Sequence, residues 1–137
     1  MAAAKKQPNR HSRVRSDHAT ELAEDYVEAI ADQIVAKGAC RAVDLARQFQ
    51  VTHVTVNRTI GRLQRDGFVT TEPYAPIELT SAGSRLANAA RRRHEIVHQF
   101  LLSLGVSEAT ADIDSEGIEH HVSPETLMAM KALLEKD

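Results

Sequence analysis

The stretch from Cys40 to Leu79 constrains the fold of this chain most. In "CRAVDLARQFQVTHVTVNRTIGRLQRDGFV", Val43, Leu45, Ala46 and Phe49 recur at helical spacing over about two turns. Val56, Ile60 and Leu63 do the same in a second run. A break at Gln50–Val51 separates the two, Thr52 is an N-cap candidate, and Gly67 marks the end. Two short helices joined by a tight turn, the second rich in Thr, Asn and Arg, give a helix-turn-helix pattern. The turn lacks the usual Gly, so the pattern gains its weight from the residues after Gly67. "FVTTEPYAPIELT" holds two β-prone runs, Phe68–Glu72 and Ile77–Leu79, around Pro73 and Pro76. A helix-turn-helix followed by a small hairpin is a winged helix.

The flanks read as helix. Before the pattern, "DHATELAEDYVEAIADQIVAKG" spaces Leu22, Tyr26, Ile30 and Ile34 four apart, with Val27 on the same face and Gly38 as a stop. After Thr80, Leu86, Ala89, Ala90, Val97, Leu101 and Leu104 stripe one long helix that Gly105 closes. A further segment, "VSEATADIDSEGIEHHV", leads to Ser123 and Pro124, the N-cap and first-turn residue of a last helix ending near Lys136. The expectation is a mostly α chain of six helices and one wing. It divides into a disordered basic arm (1–16), a winged helix-turn-helix domain (17–80) and a helical domain (81–137). A content of 42% apolar but only 4% aromatic residues, carried by Ala and Leu, favours packed helices over a β-sandwich.

Composition narrows function. The single cysteine, Cys40, excludes a disulfide within the chain and any multi-cysteine zinc site, and reads as a packing residue. No run approaches the ~18 apolar residues of a membrane span, and the N-terminus lacks the apolar core of a secretory signal, so a cytoplasmic protein is expected. The net charge of −2 conceals an asymmetry, since residues 1–16 carry five basic side chains and no acid, leaving −7 on the body. The arm reads either as a tail for a polyanion or as a solvated leader. An acidic body binds DNA poorly unless something offsets its charge.

The N-terminal half of a recognition helix lies nearest the base edges. Thr52, His53, Thr55, Asn57 and Arg58 occupy that half. Arg58 suits a base contact through its guanidinium fork, while Thr52, Thr55 and Asn57 suit phosphates. Arg62 and Arg65 reach backbone or solvent, and Tyr74 at the wing tip reaches a phosphate or the minor groove.

Residues 94–98 read "HEIVH", the zinc-protease pattern of two His one turn apart with a Glu to activate water. Other segments compete for the histidine. "EDYVE" places Asp25 and Glu28 three apart on one helical face, and "EGIEHH" places Glu116, Glu119 and His120 at i, i+3 and i+4. Brought together with His94, four carboxylates repel strongly unless a cation intervenes, and two divalent ions balance them. Taken singly, the first pair reads equally as a solvated face and His94 as a core histidine.

With "DYVE", the helix-turn-helix, "RRRHEIVHQFL" and "EGIEHHVS" in one chain, residues 18–137 resemble the diphtheria-toxin-repressor family of metal-dependent transcription repressors, most of all its manganese-regulator branch. The resemblance implies a two-metal site built from Asp25, Glu28, His94, Glu116, Glu119 and His120, where the DNA-binding part meets the dimerisation helices. It implies a homodimer that binds a palindromic operator in double-stranded DNA and represses manganese uptake genes, with no enzymatic activity, small-molecule substrate or membrane partner. Mn(II) is the expected cofactor, two per chain, in a site that also admits Fe(II), Co(II) or Zn(II). The iron-responsive branch carries sulfur ligands at the positions of Asp25 and Glu116, and oxygen at both favours manganese. His98 stands where the family often has Glu, and Glu95 has no implied role. An iron-responsive repressor and a metal-independent winged-helix regulator are the alternatives, a zinc protease the remote one.

Overall fold

The computed structural model describes residues 10–136, the side chains of 10 and 12–18 excepted. Among these, the chain forms α1 (Arg10–Lys37), α2 (Ala42–Phe49), α3 (His53–Arg65), β1 (Val69–Thr70), β2 (Glu78–Leu79), α4 (Ser81–Ser103), α5 (Glu108–Ile118) and α6 (Pro124–Leu134). Four helix starts are set by a hydroxyl. Thr52, Thr80, Ser107 and Ser123 each sit in extended backbone and accept a hydrogen bond from the third residue of the following helix.

Six helices and a wing match the reading, with three corrections. First, α1 begins at Arg10, so the disordered arm expected over 1–16 fails for its second half, and residues 1–9 lie outside the described residues. Nothing from Arg10 to Lys37 is Gly or Pro, and the breaker Pro8 precedes the helix. Second, the strands are two residues each, shorter than the runs expected, because the wing needs only the pairs Val69–Leu79 and Thr70–Glu78 to close. Third, the four-apart stripe drifts around a helix of 3.6 residues per turn. Leu22 therefore stays exposed while Ala29 is buried, and Leu104, expected in the stripe of α4, is exposed as the C-cap after its last turn.

The winged-helix core gathers Tyr26, Ala29 and Ile30 of α1, Leu45 and Ala46 of α2, and Val56, Ile60 and Leu63 of α3. Cys40, Val69 and Ile77 join them, and the Tyr26 and Phe49 rings stack at 4.6 Å. Burying a side chain such as Leu45 or Ile30 is worth about 1.5–3 kcal/mol. The wing is tied back at two points, where Ile77 N donates to Cys40 O and Arg41 Nη1 to Tyr74 O. Burial pushes the Cys40 thiol up to about 11, which suits a packing residue and not a reactive one.

α4 leaves the wing without a linker. Thr80 donates its hydroxyl to Gly67 O at 2.6 Å and its N–H to Phe68 O, and accepts from Gly83 N. Gly83 lies so close that a Cβ there would meet Phe68 O at 2.0 Å. The body of α4 then packs along α1 and carries α5 and α6. α1 thus serves two neighbours: one face completes the winged-helix core and the adjoining face meets α4.

Candidate metal centre and nucleic-acid interface

Sequence spacing places Glu21, Asp25 and Glu28 on one face of α1, at i, i+4 and i+7. α4 supplies Arg93 and His94 to the same region, and the end of α5 supplies Glu116, Glu119 and His120. Here the helical reading of "EGIEHH" needs correction. α5 stops at Ile118, Glu119 is its C-cap, and His120 lies in the following turn. The candidate ligands fall into two groups, with His120 and Glu116 in different ones.

Glu21, Asp25 and His120 form one group and His94, Glu116 and Glu119 the other; within each, the potential ligand atoms lie within 4.8 Å of one another. Glu119 joins them. Its Oε2 is 2.5 Å from His94 Nδ1 and its Oε1 is 3.2 Å from His120 Nε2. Glu28 belongs to neither trio but lines one cavity of about 230 Å³ with Asp25, Asp32 and Glu116. Burial, then the charges of Glu119, Asp25 and Glu116, push its carboxyl up to about 7. Glu116 is raised by burial and by Glu119. Such shifts are what crowded carboxylates produce when no cation offsets them.

The donor set fits a hard divalent cation. It holds carboxylate oxygens and imidazole nitrogens and no sulfur. His120 supplies the sharpest test. Its Nδ1 lies 2.9 Å from Glu24 Oε2. Its Nε2 is buried, lies 3.1 Å from Asp25 Oδ1, and has no partner with hydrogen-bond geometry. A nitrogen turned between two carboxylates in this way is oriented for a positive charge. Burial alone would lower the His120 pKa, but Asp25, Glu119 and Glu24 overcome it and push it up to about 12.

Sequence reasoning missed Glu24 and Arg93. Glu24 is 1% exposed. Both its oxygens take Arg93 Nη1 at 2.9 Å, and the same guanidinium nitrogen reaches Glu119 O at 3.5 Å. Burial raises the Glu24 carboxyl, yet His120 and Arg93 outweigh it and hold it below the ordinary value. Glu24 therefore stays ionised and fixes the ring of His120, as carboxylates do behind metal-binding histidines. A signal was available: Glu24 falls three residues before the buried Val27 and so on the buried side of α1.

The protease pattern comes apart. Glu95 is exposed and belongs to neither ligand group. His94 and His98 stack at 5.8 Å, but His98 Nε2 faces Asp112 Oδ1 at 2.7 Å while His94 faces Glu119.

At the opposite end, Thr52, His53, Thr55, Asn57, Arg58, Arg62 and Arg65 are all exposed along α3, and Val56, Ile60 and Leu63 hold its other side in the core. The Thr52 hydroxyl is engaged with Thr55, which commits it first to the cap. Val54, passed over in the sequence, is 66% exposed on the same face and offers a methyl surface to a thymine. Tyr74 is fully exposed at the wing tip with φ 65°. No helix among the described residues is long and apolar enough to cross a membrane.

A winged helix whose first helix also carries half of a carboxylate–imidazole centre defines a DNA-binding protein built around a metal site. Two family models cover most of the chain: the iron dependent repressor N-terminal DNA-binding domain over residues 18–77 and the iron dependent repressor metal-binding and dimerisation domain over 80–136. The chain belongs to the iron dependent repressor family. It is 46% identical over 123 residues to the transcriptional regulator MntR of Salmonella typhimurium, covering 90% of this chain and 78% of that one. To MntR of Escherichia coli O157:H7 it is 45% identical, covering 90% and 79%. Among solved structures, a manganese-dependent transcriptional repressor in complex with manganese superposes with a TM-score of 0.68 at 28% identity, over 82% of this chain and 52% of that one. The metal-dependent transcriptional regulator MtsR shares the fold with a TM-score of 0.75 at 21% identity, over 82% and 53%. The chain spans about half the length of these two solved structures.

Proposed function

We propose that this chain is a Mn(II)-dependent transcription repressor, a cytoplasmic homodimer that binds a palindromic operator and limits manganese uptake. The observation that carries the reading is the position of the centre: α1 is at once a wall of the winged-helix core and the source of Asp25, Glu28 and the Glu24 that orients His120. Asp25, Glu28, His94, Glu116, Glu119 and His120 would hold two ions, with Glu119 shared between the halves. A bound divalent ion would supply the positive charge that these carboxylates call for beyond what Arg93 and His120 provide.

The chain's own residues do the rest. Without a cation, Asp25 and Glu28 on α1 repel Glu116 and Glu119 on α5, which loosens α1 against the helical half. With the repulsion offset, the two elements hold one arrangement and α3 keeps a fixed distance from its dimer mate, the condition for reading two half-sites one DNA turn apart. Arg58 then meets base edges, Asn57, Thr55 and Arg62 meet phosphates, and His53 and Tyr74 flank the contact. Neutralising part of the body's −7 also eases approach to phosphates. By linkage, DNA tightens metal binding by the factor that metal tightens DNA binding. Relatives named for manganese, together with oxygen at positions 25 and 116, support manganese over iron.

The test is operator affinity at fixed salt with Mn(II), Fe(II), Zn(II) or EDTA. Tight binding with Mn(II), lost with EDTA and in Glu119→Gln, is expected. Equal affinity in EDTA would leave a metal-independent winged-helix regulator, and DNA binding gated by Fe(II) alone would leave an iron sensor.

A further inference from the structure

Glu21 lies outside the six ligand positions, one helical turn before Asp25 on α1. Its carboxylate oxygen nevertheless falls within 4.8 Å of the ligand atoms of both Asp25 and His120. The second observation is the His120 ring: Nδ1 is taken by Glu24, and the buried Nε2, without a hydrogen-bond partner, is the nitrogen left for this group. The third is His121, whose Nε2 lies 3.5 Å from Glu21 Oε2. The consecutive histidines of "EHHV" therefore reach acidic residues one turn apart on α1, His120 at Asp25 and His121 at Glu21.

Resting on the manganese reading above, we propose that Glu21 is a further ligand of the Asp25–His120 half of the centre, and that His121 is a positioning residue holding its carboxylate there. Asp25, His120 and the shared Glu119 give that half three protein donors. A fourth, from Glu21, is another hard oxygen, and oxygen-rich six-fold coordination suits Mn(II) whereas zinc is content with four ligands. Glu21 would thus bear on metal choice as well as affinity. The bland alternative is a partly exposed Glu21–His121 ion pair that only joins α1 to the turn after α5, a kind of contact that contributes little.

An EPR titration of the full chain with Mn(II), without DNA, separates the two, alongside competition with Zn(II) and thermal melts in EDTA. Two classes of Mn(II) site are expected in the wild type. Glu21→Gln, nearly isosteric, should weaken one class about tenfold or more, spare the other, narrow the preference for Mn(II) over Zn(II), and leave the melt in EDTA close to wild type. His121→Gln should weaken the same class less, and should add nothing in the Glu21→Gln background. Unchanged Mn(II) affinity in Glu21→Gln overturns the proposal. So does loss of both classes with a lowered melting temperature in EDTA, which would make Glu21 purely structural. A wild-type chain that binds no Mn(II) would sink the function reading along with this one, a result distinct from either.

Discussion

The two halves of this molecule are finished to different degrees. The winged-helix half closes on itself, with Leu45, Val56, Leu63 and Val69 almost wholly buried around Tyr26 and Ile30. In the helical half the buried apolar residues are small: Ala87, Ala90, Val97 and Ala111, with none in α6. Several of its large ones are only half-buried, and Leu104, Ile113, Met128 and Leu133 remain half or more exposed. On the function proposed above, this half would be completed from elsewhere, by a cation at its acidic centre and by a second copy of the chain on its exposed apolar surface. One half would then be stable through what it contains, the other through what it binds.

That contrast can be broken at graded cost. Leu63→Ala should lower stability by about 2–5 kcal/mol, equally with EDTA and with Mn(II), because its cavity lies in the self-sufficient core. Urea unfolding in both conditions checks this, and a metal-dependent loss would contradict it. Next, saturating Mn(II) should stabilise the wild type by about 2.7 kcal/mol per ion at a hundred times that site's dissociation constant. Asp25→Asn should remove most of the share that comes from the Asp25–His120 half. Met128→Glu, on exposed apolar surface of α6, should raise the dimer dissociation constant tenfold or more, about 1.4 kcal/mol, as read by sedimentation. Ser123→Ala removes the cap of α6 and should cost about 1 kcal/mol in denaturant.

The same contrast should also appear as a slope against pH. Glu28 is held at about 7 against an ordinary 4.5, and His120 at about 12 against 6.5, so the metal-free fold binds protons that the unfolded chain has released. Metal-free stability should therefore fall as pH rises from 5 to 8. With Mn(II) the sign reverses, because protons compete for the same donors and are displaced as pH rises. Melts across that range with EDTA and with Mn(II) should give opposite slopes, and parallel ones would refute the crowding of carboxylates as the cause.

Much of this was legible in the chain because local signals agreed. The capping hydroxyl at Thr52, the apolar spacing in α2 and α3 and the two β-prone runs after Gly67 announce the winged helix before any packing is known. Asp25, Glu28, His94, Glu116, Glu119 and His120 attract notice by residue type and spacing, but as one candidate set they come from the family resemblance. What stayed hidden depends on tertiary contact. Nothing local says that α5 stops at Ile118 with His120 in the following turn, or that Glu24 is buried under Arg93 from 69 residues further on. The four-apart reading of α1 misplaced Leu22 because a straight row of residues is not a straight row on a helix.

The seam at Gly83 has a mechanical consequence. Phe68 O fits where a side chain would be, and Thr80 clasps Gly67, so α4 is keyed to the wing at a fixed angle. Adding one residue between Leu79 and Gly83 would turn the rest of α4, and His94 with it, by roughly 100° about its axis. The wing and the histidine are thus set in phase, like two gears cut on one shaft. Changes of length are far less tolerable at this seam than changes of residue on the exposed face of α4.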